Sequence, residues 1–120
     1  MSSDKDEAKL SHLSPFEAIR RESEEGGIEY WSARELAKIL GYTQYNKFIN
    51  VIQKAEIACA NSGQTIGDHF THVSEMVNIG SGAKRKFSTV FLSRYACYLI
   101  VQNADLDPLR RRRNLSLIHI

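Results

Sequence analysis

Apolar positions along this chain recur first at helical spacing, then at alternate residues, and finally with no polar break, and these regimes mark its elements. Ser14-Pro15 places an N-cap before a proline at the first helical position and predicts a short helix through about Ser23, ended by Glu24-Glu25-Gly26-Gly27. Ile28-Glu29-Tyr30-Trp31 alternates and reads as a short strand. Ser32-Ala33-Arg34-Glu35 has the form of a capping box, in which the Ser32 hydroxyl accepts from the Glu35 amide and Glu35 reaches back to the Ser32 amide. Trp31 and Leu36 stand where a hydrophobic staple needs them. Leu36, Ile39 and Leu40 form the buried stripe of this helix, and Gly41 supplies a left-handed C-terminal cap. A second helix starts near Thr43 and runs to about Ala60, with Tyr45, Phe48, Ile49, Ile52, Ala55 and Cys59 at helical spacing, until Asn61-Ser62-Gly63 stops it.

Residues 64–72 form a loop or one helical turn. Val73, Glu75, Val77 and Ile79 then alternate with Ser74, Met76 and Asn78, which is strand-like. Gly80-Ser81-Gly82 makes a turn tipped by Lys84-Arg85-Lys86, and Phe87-Ser88-Thr89-Val90-Phe91-Leu92 pairs back as a hairpin. Ser93 caps a last helix whose core, Tyr95 to Val101, is apolar on every side and is expected to be the most buried. The fold expected over residues 14–105 is a small single α+β domain. It combines a helix-turn-helix-like helix pair, an antiparallel β-hairpin and a buried C-terminal helix. Residues 1–12 are expected to be disordered. Beyond Pro108, LRRRRNLSLIHI (109–120) has neither periodicity nor caps and is expected to be an anomalous tail without a function.

Charge sharpens this picture. The formal net charge of +2 belongs to the tail: without Arg110 to Arg113, 12 basic residues face 14 acidic ones. Residues 26–105 hold eight bases and six acids, so any nucleic-acid affinity must come from arrangement instead of total charge. Cys59 and Cys97 lie far apart inside helical patterns and are expected as buried free thiols in a reducing cytoplasm. The polar, acidic start MSSDKDEAKL gives no expectation of a signal peptide or an anchor, and no run approaches membrane-spanning length.

Candidate chemistry is sparse. The helix pair would present Gln44, Asn46, Lys47 and Asn50, with Gln53 and Lys54 further along, on its second helix. Amides can pair with adenine edges and lysine can reach phosphate or guanine. A plain helical hairpin with a solvated polar face has the same pattern, and Phe48 falls one place late for the usual buried position. Lys84, Arg85 and Lys86 beside that pair suggest a phosphate-gripping wing, although cations in an exposed turn also serve solubility alone. Three phosphate contacts give modest affinity that falls by roughly 0.9 log units per contact per decade of salt. Asp68, His69 and His72 resemble a metal or acid–base cluster but lack a third metal ligand beside the two histidines, and ordinary loop histidines are the default. No phosphate-binding glycine loop, nucleophile elbow or paired-carboxylate motif occurs, so no catalytic residue, metal or cofactor is expected. A metal-dependent nuclease using Asp68, His69 and His72 is the enzymatic alternative.

WSARELAKILGY (31–42), NSGQTIGDHF (61–70), VNIGSGAKRKF (77–87) and LSRYACYLIVQN (92–103) together resemble the bacterial DNA-damage-inducible protein D family. The N-terminal part of that family is similar to the BRO N-terminal domain of viral and phage antirepressor-like proteins. The resemblance covers roughly residues 14–105. It implies an SOS-regulated bacterial cytosolic protein without catalytic chemistry, associated with DNA and with RecA-type recombinase filaments. Family chains continue into a helical C-terminal region, and where they run Gln-Asn-Gly-Asp-Pro this chain has Gln102-Asn103-Ala104-Asp105-Leu106-Asp107-Pro108. The expectation is therefore an N-terminal fragment of a damage-response accessory protein. The alternative is a protein-interaction module that docks a recombinase or another partner without touching DNA.

Overall fold

In the computed structural model, which describes residues 14–104, the core forms around Trp31 and Phe16, two rings stacked at 4.3 Å with an angle of 9° between their planes. The expectations for residues 1–12 and 109–120 lie outside the described residues. The Trp31 indole donates to the Phe16 carbonyl at 2.9 Å, so the one polar atom of this buried side chain is satisfied. This contact fixes the N-terminal segment, which is shorter in helix than expected. Helix α1 spans Pro15–Ala18, with the Ser14 hydroxyl accepting from the Glu17 amide at 3.2 Å. The chain then leaves the helix because β1 (Arg21–Glu22) pairs antiparallel with the start of β2 (Glu29–Ser32). The predicted helix through Ser23 is corrected by that pairing, which serves residues 21 and 22 better than one more helical turn.

Helix α2 (Ala33–Ile39) starts at Ser32, but the capping box does not form: the Ser32 hydroxyl makes no capping bond. Glu35 turns instead to the Arg21 guanidinium, an ion pair that a local motif cannot anticipate. The other end follows local chemistry. Gly41 adopts φ 86°, its amide donates to the Lys38 carbonyl at 3.1 Å, and the Tyr42 amide donates to the Ala37 carbonyl at 2.9 Å. These two bonds are the Schellman pattern, which satisfies carbonyls that the helix end would orphan. Helix α3 (Tyr45–Asn61) buries Phe48, Val51, Ile52, Ala55 and Cys59. Phe48 is fully buried, whereas Ile49, expected inside, is 39% exposed and Val51 takes its place. The buried stripe is thus rotated toward α5, against which α3 packs.

Helix α4 (Ile66–His69) is the single turn allowed by the sequence, and it leads into the long hairpin of β3 (Phe70–Gly80) and β4 (Ala83–Leu92). The four strands form one antiparallel sheet in the order β1-β2-β4-β3. Helix α5 (Arg94–Ala104) buries Ala96, Cys97, Leu99, Ile100 and Val101, and the Ser93 hydroxyl caps it by accepting from the Ala96 amide at 3.0 Å. The fold is therefore α+β. Among the described residues no helix is long and apolar enough to cross a membrane.

Arg94, the first residue of α5, stands where the helix dipole disfavours a cation. It is held there by carboxylates. Its guanidinium grips both oxygens of Glu29 at 3.0 and 3.1 Å and reaches Glu17 at 3.0 Å. It also lies 5.0 Å from the Trp31 ring centre and 5.5 Å from that of Phe16. Arg20 adds a bond to Glu29 at 2.9 Å. Hydrogen bonds from Arg94, then from Arg20, pull the Glu29 carboxyl down to about 2 from its ordinary 4.5, against the cost of partial burial. Because the folded value is depressed, this contribution is complete above about pH 4.5 and is lost as pH falls through about 2. Glu29→Gln is expected to lower stability at pH 7 by about 1–2 kcal/mol and to flatten the acid limb of stability between pH 4.5 and 2. Denaturant unfolding across that pH range checks this, and an unchanged acid limb would contradict it.

Candidate nucleic-acid interface

Ten register pairs run from Phe70↔Leu92 to Gly80↔Ala83, so β4 begins at Ala83 and not at Phe87. The turn is tight because Gly80, Ser81 and Gly82 all take positive φ, at 103°, 51° and 75°, a run that flanking glycines make accessible. Lys84, Arg85 and Lys86 therefore sit within the ladder, opposite Asn78, Val77 and Met76, instead of tipping the turn as expected. Backbone pairing continues through charged residues because the side chains stand clear of it. Alternation along a strand then divides the cations. Lys84 and Lys86 share one face with Asn78, Met76 and Ser88, and Arg85 shares the opposite face with Val77 and Phe87. All three are exposed, and none makes an ion pair among the described residues.

The root of this ribbon is tied at three places, two of them to the helix pair and one to β1. Arg34 of α2 lies 4.0 Å from the ring centre of Tyr45 and 5.3 Å from that of Phe87, and it donates from Nε to the Ser88 carbonyl at 3.0 Å. Arg21 joins Glu75 at 3.5 Å on the Arg85 face. His72 meets Glu56 of α3 at 3.3 Å on the other face. Tyr45 consequently borders two hollows. One, of about 360 Å³, lies between α3 and the Lys84/Lys86 face and includes Ile49, Gln53, His72 and Ser88. The other, of about 400 Å³, lies over the helix turn and includes Arg34, Thr43, Val77 and Phe87. Past these ties the arm carries Met76, Val77 and Ile79 at 61%, 43% and 59% exposure.

Gln44 occupies the N-cap position of α3, exposed and without a side-chain capping bond. Asn46, Lys47 and Asn50 are exposed on the same helix. At 100° per residue, Asn46 and Asn50 lie roughly 60° and 100° around the helix from Ile49, which lines the first hollow. Lys47 lies roughly 160° away, on the flank turned from the ribbon. The structure therefore brings Asn46 and Asn50 to the ribbon's side of α3, whereas Lys47 and, roughly 140° from Ile49, Gln44 stand apart from them.

Asp68, His69 and His72 are not gathered into one group. His69 Nδ1 shares a hydrogen bond with the Ser93 hydroxyl at 2.7 Å and its ring packs on Tyr95, whereas His72 is engaged by Glu56. Among the described residues no cluster of three or more His, Cys, Asp or Glu side chains could hold a metal ion. Burial pushes the Cys97 thiol well up and raises that of Cys59, so both stay protonated in the core. Sequence reasoning missed Arg34 and Arg21. Their partners lie up to 54 residues away, and nothing local to either signals them.

A two-stranded basic ribbon set beside a helix pair on a small α+β core defines the class of this domain. Residues 18–114 match the model of the BRO family, N-terminal domain, and the chain belongs to that family. It is 54% identical over 94 residues to DNA damage-inducible protein D of Escherichia coli (strain K12), an alignment that takes in 78% of this chain and 34% of that protein. The chain thus spans about a third of the length of that relative. No solved structure matches it.

Arg34→Ala removes two ring contacts and a hydrogen bond, and is expected to destabilise the ribbon's attachment by about 1–3 kcal/mol. Amide hydrogen exchange is expected to accelerate over residues 74–88 while α5 remains protected. Unchanged exchange in the ribbon would show that Arg34 does not hold it.

Proposed function

We propose that this domain is a DNA-associated accessory module of the DNA-damage response. Lys84, Arg85 and Lys86 hold phosphates, and Asn46 and Asn50 lie along the groove or strand beside them, while Gln44 and Lys47, turned from the ribbon, fall outside that contact. One observation carries this reading: three consecutive exposed cations without an ion pair among the described residues stand on a ribbon whose root is fastened to the first turn of α3. Arg20, Arg21, Arg34 and Arg94 are occupied in holding the fold together, whereas these three cations are exposed, Arg85 with its guanidinium 5.4 Å from the Phe87 ring centre. The name of the Escherichia coli relative supports the damage-response setting. Two buried free thiols fit a reducing cytoplasm.

Replacing Lys84, Arg85 and Lys86 together with alanine is expected to weaken DNA binding to a similar degree across sequences and to lower the salt slope by up to roughly 2.7, at about 0.9 per lost phosphate contact. Asn46→Ala and Asn50→Ala are expected to leave the slope unchanged and to alter preference among sequences, because amides read base edges and do not neutralise phosphate. Fluorescence anisotropy titrations at several salt concentrations make both measurements. An unaltered affinity and slope in the triple variant would remove the ribbon from the reading.

A second reading is favoured by the exposed Met76, Val77 and Ile79, which make the arm more apolar than phosphate contact requires. Here the same arm docks protein, and a RecA-type recombinase filament is the partner suggested by the family. Pull-down with recombinase from nuclease-treated extract separates the two. Retention of the recombinase after the DNA is destroyed supports docking, and its loss supports the DNA reading.

A further inference from the structure

The division of the three cations between opposite faces of the ribbon bears on which form of DNA it fits. This step rests on the DNA reading above. A single strand lying along the ribbon follows one face, so it reaches Lys84 and Lys86 or it reaches Arg85. A duplex groove has two phosphate walls. Stacked sheets pack about 10 Å apart, so a ribbon with only the inner part of its side chains already occupies about that thickness. The major groove of B-DNA is about 12 Å wide and the minor groove about 6 Å. A ribbon of this thickness fits the first, with each face turned to one wall, and is too thick for the second. The free arm between Met76 and Lys86 also carries no aromatic side chain on which unpaired bases could stack. Tyr45 and Phe87, the nearest rings, are already covered by Arg34.

We infer that the ribbon is a wedge for the major groove of duplex DNA, with Lys84 and Lys86 on one phosphate wall and Arg85 on the other. Met76 and Val77, one on each face, lie along the groove walls next to the cations they oppose in the ladder. Arg34 on Tyr45 and His72 on Glu56 keep the wedge at one angle to α3, so that Asn46 and Asn50 follow the same groove.

The test compares Arg85→Ala with the pair Lys84→Ala/Lys86→Ala in the full chain, on duplex and single-stranded oligonucleotides of one sequence. Arg110 to Arg113 are kept in every variant, so that their contribution cancels in the differences. On duplex, Arg85→Ala is expected to lower the salt slope by roughly 0.9 and the lysine pair by roughly 1.8. On single strands only one of the two variants is expected to lower it, by roughly 0.7 per cation. Netropsin, which fills the minor groove, is expected to leave duplex binding in place. Slopes that fall for both variants on single strands, with affinity equal to or above that for duplex, overturn the wedge and leave the DNA reading standing. Displacement by netropsin, or a duplex slope lowered by only one variant, likewise overturns the wedge. No change for either variant on either DNA removes the ribbon from DNA binding altogether. All three side chains are exposed, and an unchanged circular dichroism melt confirms that each variant folds.

Discussion

A projecting two-stranded ribbon has no core of its own, and everything attributed to this one depends on what fixes its root. Phe70, Val90 and Leu92 bury its base in the core, and above them Arg34 ties it to both helices. The flat, delocalised cation of Arg34 fits between two rings better than an ammonium would, and its Nε still reaches the Ser88 carbonyl. One side chain thereby joins α2, the first turn of α3 and β4. Arg21–Glu75 and His72–Glu56 act on the two faces of the ribbon and oppose rotation about that joint. Exposed pairs of this kind are individually weak, about 0–1 kcal/mol, so they steer an angle more than they stabilise the fold.

The stability lies elsewhere. Truncating a fully buried Trp31 costs roughly 3–5 kcal/mol, more than the carboxylate–guanidinium cluster beside it is expected to contribute. The cluster has a different part. It lets Arg94 stand at a helix start, covers the Phe16–Trp31 stack, and ties α1, β2 and α5 at one point. Hydrophobic burial sets the core, and polar ties set the relative placement of the elements around it.

The features legible in the sequence are those whose cause is local. Ser14, Gly41 and Ser93 act within four residues of themselves, and each does what its position implies. The capping box at Ser32 fails because Glu35 finds Arg21, a partner supplied by another element. The first helix stops early because Arg21–Glu22 has strand partners in Glu29–Tyr30. Ile49 and Val51 exchange roles because the phase of a helical stripe is set by what packs on it, and α5 arrives from 50 residues away. The basic ribbon was visible as composition. That its cations divide between two faces follows from alternation only once the strand is known to begin at Ala83. Arg34 and Arg94 carried no signal, since neither has its principal partners nearby in the chain.

In this BRO-family domain, the proposed binding surface joins the ribbon to the amide-bearing flank of α3 and leaves out the hollow bordered by Ser23, Ile28 and Thr71. Amide chemical-shift mapping by NMR during addition of duplex DNA tests this most directly. Shifts are predicted to appear together over residues 76–86 and 44–53 and to spare residues 23–28. Shifts confined to one of the first two segments, or centred on residues 23–28, would contradict it.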